Sequence, residues 1–310
     1  MMQQKTWYAH GKLLLTGEYL VLKGARALAL PIGRGQFLRV KETRHSSTPF
    51  LQWTALQPGG LWFQADYALP SLRILSTTHA GMAQKLAEIL TVARRLNPTY
   101  LNGSRSFQAE TQLEFDPEYG FGSSSTLVAN LAAWAQIDPF QLQWTALGGS
   151  GYDIACAHAS TPLFYQIVNG KPVTVSVPWN PAFRDHLYFV YLGKKQRSDK
   201  SIRIFQQKAV FDQETINRVS ALGEAIVQAA DLETFEHLLQ EHETLLAAVL
   251  GTIPVQKKLF KNYRGTVKSL GAWGGDFVLV TTRQPFDVFQ KEMASRGFSV
   301  LFSWNELILT

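Results

Sequence analysis

The sequence predicts an α+β protein in two parts, divided near residue 180. Three observations lead there. Short β-forming runs alternate with helical patterns in both halves of the 310 residues, so neither an all-helical nor an all-strand fold fits. Hydrophobic residues make up 46% and charged residues 17%, the balance of a chain that builds a core rather than of a disordered one. Pro178-Trp179-Asn180-Pro181 is the kind of punctuation that joins two compact parts, giving 1–180 and 181–310.

The elements follow in order. Runs 12–22 and 27–30 are apolar and β-forming, broken at Gly24 and Pro31. Runs 35–42, 51–53 and 61–65 read as short strands between Pro, Gly and Ser turns. A helix is predicted over 81–96, where Leu86, Ile89, Leu90 and Ala93 share one face and Asn97-Pro98 ends it. Residues 106–115 alternate like a strand, and helices follow over 127–136 and 139–147. Runs 163–168 and 173–177 form a hairpin about Asn169-Gly170, a dipeptide that accepts the left-handed backbone of a tight turn. Beyond the linker, 186–192 is a strand, and helical patterns run through 200–210, 212–230, 232–249 and 255–263. A strand at 277–282, a helix at 285–295 and a strand at 298–303 close the chain.

Composition removes several functions. Net charge is +6, but the basic residues are scattered, with small clusters at Lys194-Lys195-Gln196-Arg197 and Lys257-Lys258. That is not a nucleic-acid stripe; it suits an anionic small ligand, or a solvated surface whose charge has no function. A single cysteine, Cys156, allows no intramolecular disulfide and no cysteine metal cluster, and reads as a small buried helix residue suited to a reducing cytoplasm. Residues 1–11 hold no secretory apolar stretch, and no run is long enough to span a membrane.

The most informative stretch is Gly120-Phe121-Gly122-Ser123-Ser124-Ser125-Thr126, followed at once by an alanine-rich helical segment. Glycines permit tight turning and close backbone approach, and a helix start carries free N–H groups and partial positive charge. A phosphate-bearing ligand is therefore the first candidate. The run has neither the Lys of a nucleotide P-loop nor the third glycine of a dinucleotide fingerprint. A simple loop with Ser or Thr as helix cap is the competing reading.

Two further segments join it: Ala9-His10-Gly11-Lys12-Leu13-Leu14-Leu15-Thr16-Gly17-Glu18-Tyr19 and Gly271-Ala272-Trp273-Gly274-Gly275-Asp276, with Gly149-Ser150-Gly151-Tyr152-Asp153-Ile154-Ala155 between. In this order they resemble the GHMP kinases (galactose, homoserine, mevalonate and phosphomevalonate kinases) from about residue 8 onward. The form of residues 11–19 and of 149–155, and the closing Asp276, resemble the mevalonate and phosphomevalonate kinase branch.

The resemblance implies a two-domain GHMP kinase fold: an N-terminal ribosomal-protein-like α/β domain that binds ATP, and a C-terminal ferredoxin-like domain. It implies ATP and Mg²⁺ as cofactors and a small-molecule acceptor, mevalonate or 5-phosphomevalonate, for a monomer or homodimer that engages neither nucleic acid nor membrane. By the same resemblance, Lys12 and Asp153 are catalytic: Asp153 takes or orients the acceptor proton, and Lys12 keeps it ionised and stabilises transferring charge. Gly120, Gly122, Ser123, Ser124 and Ser125, with Gly271, Gly274 and Gly275, hold the nucleotide phosphates. Ser124 and Glu18 are the metal ligands. Structural alternatives stand beside these roles: Lys12 as a strand-end lysine, Asp153 or Ser124 as a helix cap, Glu18 as a surface charge, Asp276 as a loop brace, and His10 as a packed polar residue.

The chain departs from the family pattern in four ways. Only Glu118 and Tyr119 separate Pro117 from Gly120, where three residues are usual. Trp273 stands where the third motif has glycine, a ring expected to narrow the site or stack on a ligand. Gln141-Leu142-Gln143 carries no acid where mevalonate kinases hold a metal-binding glutamate. No adenine-contacting loop is recognisable; Trp53, Trp62 and Phe63 are candidates.

Overall fold

Alternation of apolar and polar side chains builds the first sheet. Leu51, Trp53 and Ala55 of β3 (Phe50–Gln57) and Phe63, Ala65 and Tyr67 of β4 (Gly60–Ala68) point to one buried face, and the residues between them point away. These assignments come from a computed structural model, which describes residues 4–43, 48–193, 211–273 and 276–310. Gly274, Gly275, the Lys194 cluster and the helical pattern at 200–210 lie outside the described residues.

The chain forms two compact units: one of Met1–Gly11, Arg34–Pro117 and Phe121–His158, the other of Lys12–Gly33, Glu118–Gly120 and Ala159–Thr310. The first holds most of β1 (Gln4–Leu14) and the later part of β2 (Ala27–Thr43), with β3, β4, β5 (Arg73–Thr77) and β6 (Ser106–Leu113). The strand order is β5-β4-β3-β6-β2, with β1 beside β2. The β3–β6 pair is parallel; β3–β4, β4–β5 and β2–β6 are antiparallel. Helices α1 (Ala80–Leu96), α2 (Ser123–Ala135), α3 (Pro139–Ala146) and α4 (Tyr152–Ala157) cover the apolar face. The face predicted for α1 is the buried one, and the Tyr67 hydroxyl donates to Ala83 O at 2.9 Å, tying sheet to helix.

In the second unit the start of β2 pairs with β7 (Leu163–Val168), which turns through Asn169 and Gly170, both at positive φ, into β8 (Lys171–Ser176) as predicted. A separate antiparallel sheet has the order β10-β11-β9-β12, from β9 (Leu187–Tyr191), β10 (Val267–Ser269), β11 (Phe277–Thr281) and β12 (Leu301–Ser303). With it stand α5 (Gln213–Gln228), α6 (Leu232–Leu250), α7 (Val255–Leu259), α8 (Phe286–Ser295) and α9 (Trp304–Leu307). Trp179 is no exposed linker residue: it packs among Phe235 and Trp304.

Several elements differ from expectation, among them β5 and β10, which the sequence reading does not contain. The strand read over 12–22 ends at Leu14, because Gly17 and Tyr19 take positive φ, and a short 3-10 helix, Leu20–Lys23, follows. Pro31 does not break β2: it falls between the stretch paired with β7 (Ala27–Ala29) and the stretch paired with β6 (Gln36–Thr43), so neither ladder needs its missing N–H. Helix α2 begins four residues earlier than the apolar run, since its first turn is serine. The pattern at 255–263 condenses to the short α7.

Leu90, fully buried on α1, tests the first core. Leu90→Ala is expected to lower the unfolding free energy by about 2–5 kcal/mol. Glu88→Ala, on the exposed face, is expected to change it by less than about 0.5 kcal/mol. Denaturant titration of the two variants reads the difference.

Candidate functional site

The start of α2 is open because a glycine, not a serine, caps it. Gly122 sits at φ 92° and supplies no side-chain cap. Among the described residues no cap side chain accepts from the first N–H groups of α2, and the helix dipole makes that end favourable for an anion. The three serines divide. Ser125 is buried and its hydroxyl donates back to Gly122 O at 2.9 Å, so it braces the loop. Ser124 is exposed and Ser123 half-buried at the helix end, where hydroxyls can meet a ligand. The helix is fixed from behind by a contact that sequence reasoning missed: buried Gln36 on β2 accepts from the Thr126 hydroxyl and, through its backbone O, from Asn130 Nδ2, both at 2.8 Å. Three polar residues scattered over a strand and a helix leave no periodic signal.

Asp153 lies in the first turn of α4, whose cap is Gly151 at φ 91° with no side-chain hydrogen bond. It is not the N-cap that the alternative reading gave it. It is half-buried, and α4 packs against α2 in the same unit. The preceding loop is held at Gly148, whose O accepts from Gln143 Nε2 at 3.0 Å. The Gln141-Leu142-Gln143 stretch that lacks an acid thus has a structural use. His10 packs edge-on against Tyr8, as a packed polar residue does, and Cys156 is buried on α4.

In the second unit, Lys12 near the end of β1 donates from Nζ to Gly120 O at 2.8 Å. Gly120 opens the loop that leads into α2, so Lys12 is tied to that loop. Gly120 must be glycine for two reasons. Its φ is 67°, and an added Cβ would overlap the Asp276 carboxylate, 2.5 Å from Cγ. Asp276 therefore lies against the glycine loop, as the brace reading expected, and its backbone O accepts from Leu192 N at 2.7 Å. Tyr119 packs its ring on Tyr191, Phe277 and Phe302, and the Tyr191 hydroxyl donates to Glu118 O, so aromatic contacts seat residues 118–120.

Glu18 departs from its expected place. Its carboxylate is 1% exposed and accepts from Lys268 Nζ at 2.6 Å; it is neither a surface charge nor an open metal ligand. Lys268 also donates to Ser269 O at 2.8 Å and stands 3.7 Å from Glu243, which in turn accepts from the Ser269 N–H and hydroxyl. The His242 Nε2 accepts from Gly17 N at 3.1 Å, so the ring is neutral, and it lies 3.7 Å from Glu18. Burial pushes the Glu18 carboxyl up to about 7, against the opposing pull of Lys268. Burial, with the Lys268 charge, holds His242 well below the usual histidine range. Among the described residues no three His, Cys, Asp or Glu side chains gather as a metal site.

The third segment shows a second difference. Trp273 does not stand as a free platform: it packs with Tyr19 and Phe211 against the cluster of Leu20, Val219 and Leu246, and its backbone N–H donates to the Tyr19 hydroxyl at 3.1 Å. Gly271, at φ 59°, has open space where a side chain would stand. Trp53 and Phe63 are core residues of the first unit, and Trp62 is half-buried against them.

These elements recur in solved structures over nearly the whole chain. A mevalonate kinase from L. major, in complex with R-mevalonate, superposes with a TM-score of 0.68 at 16% identity, covering 98% of each chain. A Streptococcus pneumoniae phosphomevalonate kinase, with phosphomevalonate and AMPPNP, gives 0.69 at 16% identity, covering 96% of this chain and 99% of that one. A Lactococcus lactis galactokinase with galactose gives 0.70 at 11% identity, covering 99% and 94%. The chain has the two-domain GHMP kinase fold. At these identities the likeness speaks for the fold. No protein-family model and no curated protein matches the sequence.

Two expectations test this geometry. Gly120→Ala should destabilise the protein by about 1–3 kcal/mol, and Asp276→Ala in the same chain should recover part of the loss. Thermal melting of the three variants reads this. The second concerns pH. The His242 pKa is lower folded than unfolded, so the unfolded chain binds the proton first, and the contribution present above pH 6.5 is lost as pH falls below it. His242→Gln, whose amide oxygen can still accept from Gly17, should lose stability less steeply than the native protein between about pH 6.5 and 5, as melting temperature against pH will read.

Proposed function

We propose that this protein is an ATP-dependent small-molecule kinase that transfers the γ-phosphoryl group to mevalonate or 5-phosphomevalonate. The observation that carries the reading is the open, glycine-capped start of α2, with Lys12 tied to the loop that leads into it. A kinase needs donors aimed at phosphate oxygens and a fixed cation for the charge in transit. The kinase structures that cover nearly the whole chain support it, one of them carrying phosphomevalonate and AMPPNP.

The residues take these parts. The first N–H groups of α2, with the Ser123 and Ser124 hydroxyls, hold the nucleotide phosphates. Gly271 lets backbone approach the ligand, and Gly274 and Gly275 share that role. Lys12 Nζ stabilises charge as the phosphoryl group passes from ATP to the acceptor oxygen and ADP departs. Asp153 accepts the proton of an alcohol acceptor; an acceptor phosphate is already ionised and needs none, so Lys12 then carries more of the catalysis. Glu18 does not fit a metal, being buried on Lys268, and Mg²⁺ enters this reading only as part of MgATP, with Ser124 beside it. The division near residue 180 into an N-terminal ATP-binding domain and a C-terminal domain belongs to the same reading.

Two other readings have observations of their own. The galactokinase superposes as well as the mevalonate-type enzymes, which favours a GHMP-type kinase for another small alcohol. The paired, buried Glu18 favours a non-catalytic nucleotide- or metabolite-binding relative. ADP release with MgATP across mevalonate, 5-phosphomevalonate, homoserine, galactose and no acceptor separates them. The expected outcome is turnover with one mevalonate-type acceptor. With that acceptor, Lys12→Ala should reduce turnover by about tenfold or more, and Asp153→Asn likewise if the acceptor is an alcohol, with the fold intact. A flat panel with MgATP still bound selects the binder.

A further inference from the structure

The dipeptide Glu18-Tyr19 holds the third glycine-bearing segment at two points. Tyr19 adopts φ 62°, ψ −45°, a backbone conformation that a bulky side chain takes only when its surroundings impose it. The surroundings are visible. Gly17, just before, donates to His242 on α6; Glu18 accepts from Lys268 on β10; and the Tyr19 hydroxyl accepts from the Trp273 backbone N–H. Lys268 and Trp273 lie on either side of Leu270-Gly271-Ala272, so the two prongs clamp the segment ahead of and behind Gly271. The Trp273 ring adds a third hold, packed with Tyr19 against the apolar cluster of α5 and α6. Held this way, Gly271 keeps open space at its Cα.

We propose that Glu18-Tyr19 is a staple that sets the backbone of residues 270–273 for its ligand, with Tyr19 and Trp273 as positioning residues. The tryptophan that replaces the family's glycine thereby acts as an anchor. This rests on the kinase reading for the ligand, MgATP, but the staple itself is a property of the second unit alone.

The test is amide hydrogen exchange over 267–273, with the KM for MgATP and kcat, in the native protein and in Tyr19→Phe, Trp273→Phe and Trp273→Ala, melting temperature serving as fold control. Tyr19→Phe removes one hydroxyl and should speed exchange at Trp273 by about tenfold while leaving α1 protected. Trp273→Ala should speed it across 270–273, and Trp273→Phe should restore most of the protection. KM for MgATP should rise several-fold in the loosened variants, with kcat changing less. Unchanged exchange in both Tyr19→Phe and Trp273→Ala overturns the staple. Faster exchange with unchanged KM overturns its positioning role. A native protein that transfers phosphoryl to no acceptor overturns the kinase reading instead; exchange still decides the staple, and calorimetric MgATP affinity replaces KM.

Discussion

The second unit is organised around a carboxylate kept out of water. Removing Glu18 and Lys268 from solvent costs free energy that a single contact does not return, and a buried pair is retained only where further polar partners surround it. Here Lys268 has Glu18, Glu243 and the Ser269 carbonyl around it, and Gly17 is tied to His242. These contacts are directional. An apolar core would accept the turn after β1 in many positions; this one accepts it where the hydrogen bonds close. That turn follows the strand that carries Lys12.

In the first unit the head of α2 presents backbone atoms. The N–H groups at the head of α2 owe their availability to Gly122 and their position to Gln36, which grips the helix through Thr126 and Asn130. A helix start built this way asks little of side-chain identity beyond the glycines, and a core asks mainly for apolar residues at the right period. Both facts account for a fold retained at 11–16% identity to the solved kinases.

What the sequence made legible was local. The α1 stripe, the hairpin about Asn169-Gly170 and the glycine loop each rest on residues a few positions apart. Glu18 escaped because its partner is 250 positions away, and nothing near Glu18-Tyr19 distinguishes a buried acid from an exposed one. The strand β10 is three residues long and carries a lysine, so no alternation marks it. Pro31 misled because a missing N–H matters only where a neighbour strand requires it. Trp273 was read from its place in the motif, whereas its environment comes from helices α5 and α6 and the turn at Tyr19.

The division of the chain into units has a consequence for dissection. Each unit is assembled from separate stretches, and the short piece 118–120 belongs to the second unit although the chain on both sides of it belongs to the first. A single cut after residue 158 keeps every residue of the first unit, along with 12–33 and 118–120 of the second, but no single cut releases the second unit whole. That N-terminal fragment would lack β7, the partner of the start of β2, and a C-terminal fragment would lack the strand and turn that hold Lys12 and Glu18. Expression of fragments is expected to disrupt the second unit first, and the interleaved chain is more readily elaborated by insertion into loops than by exchange of a domain.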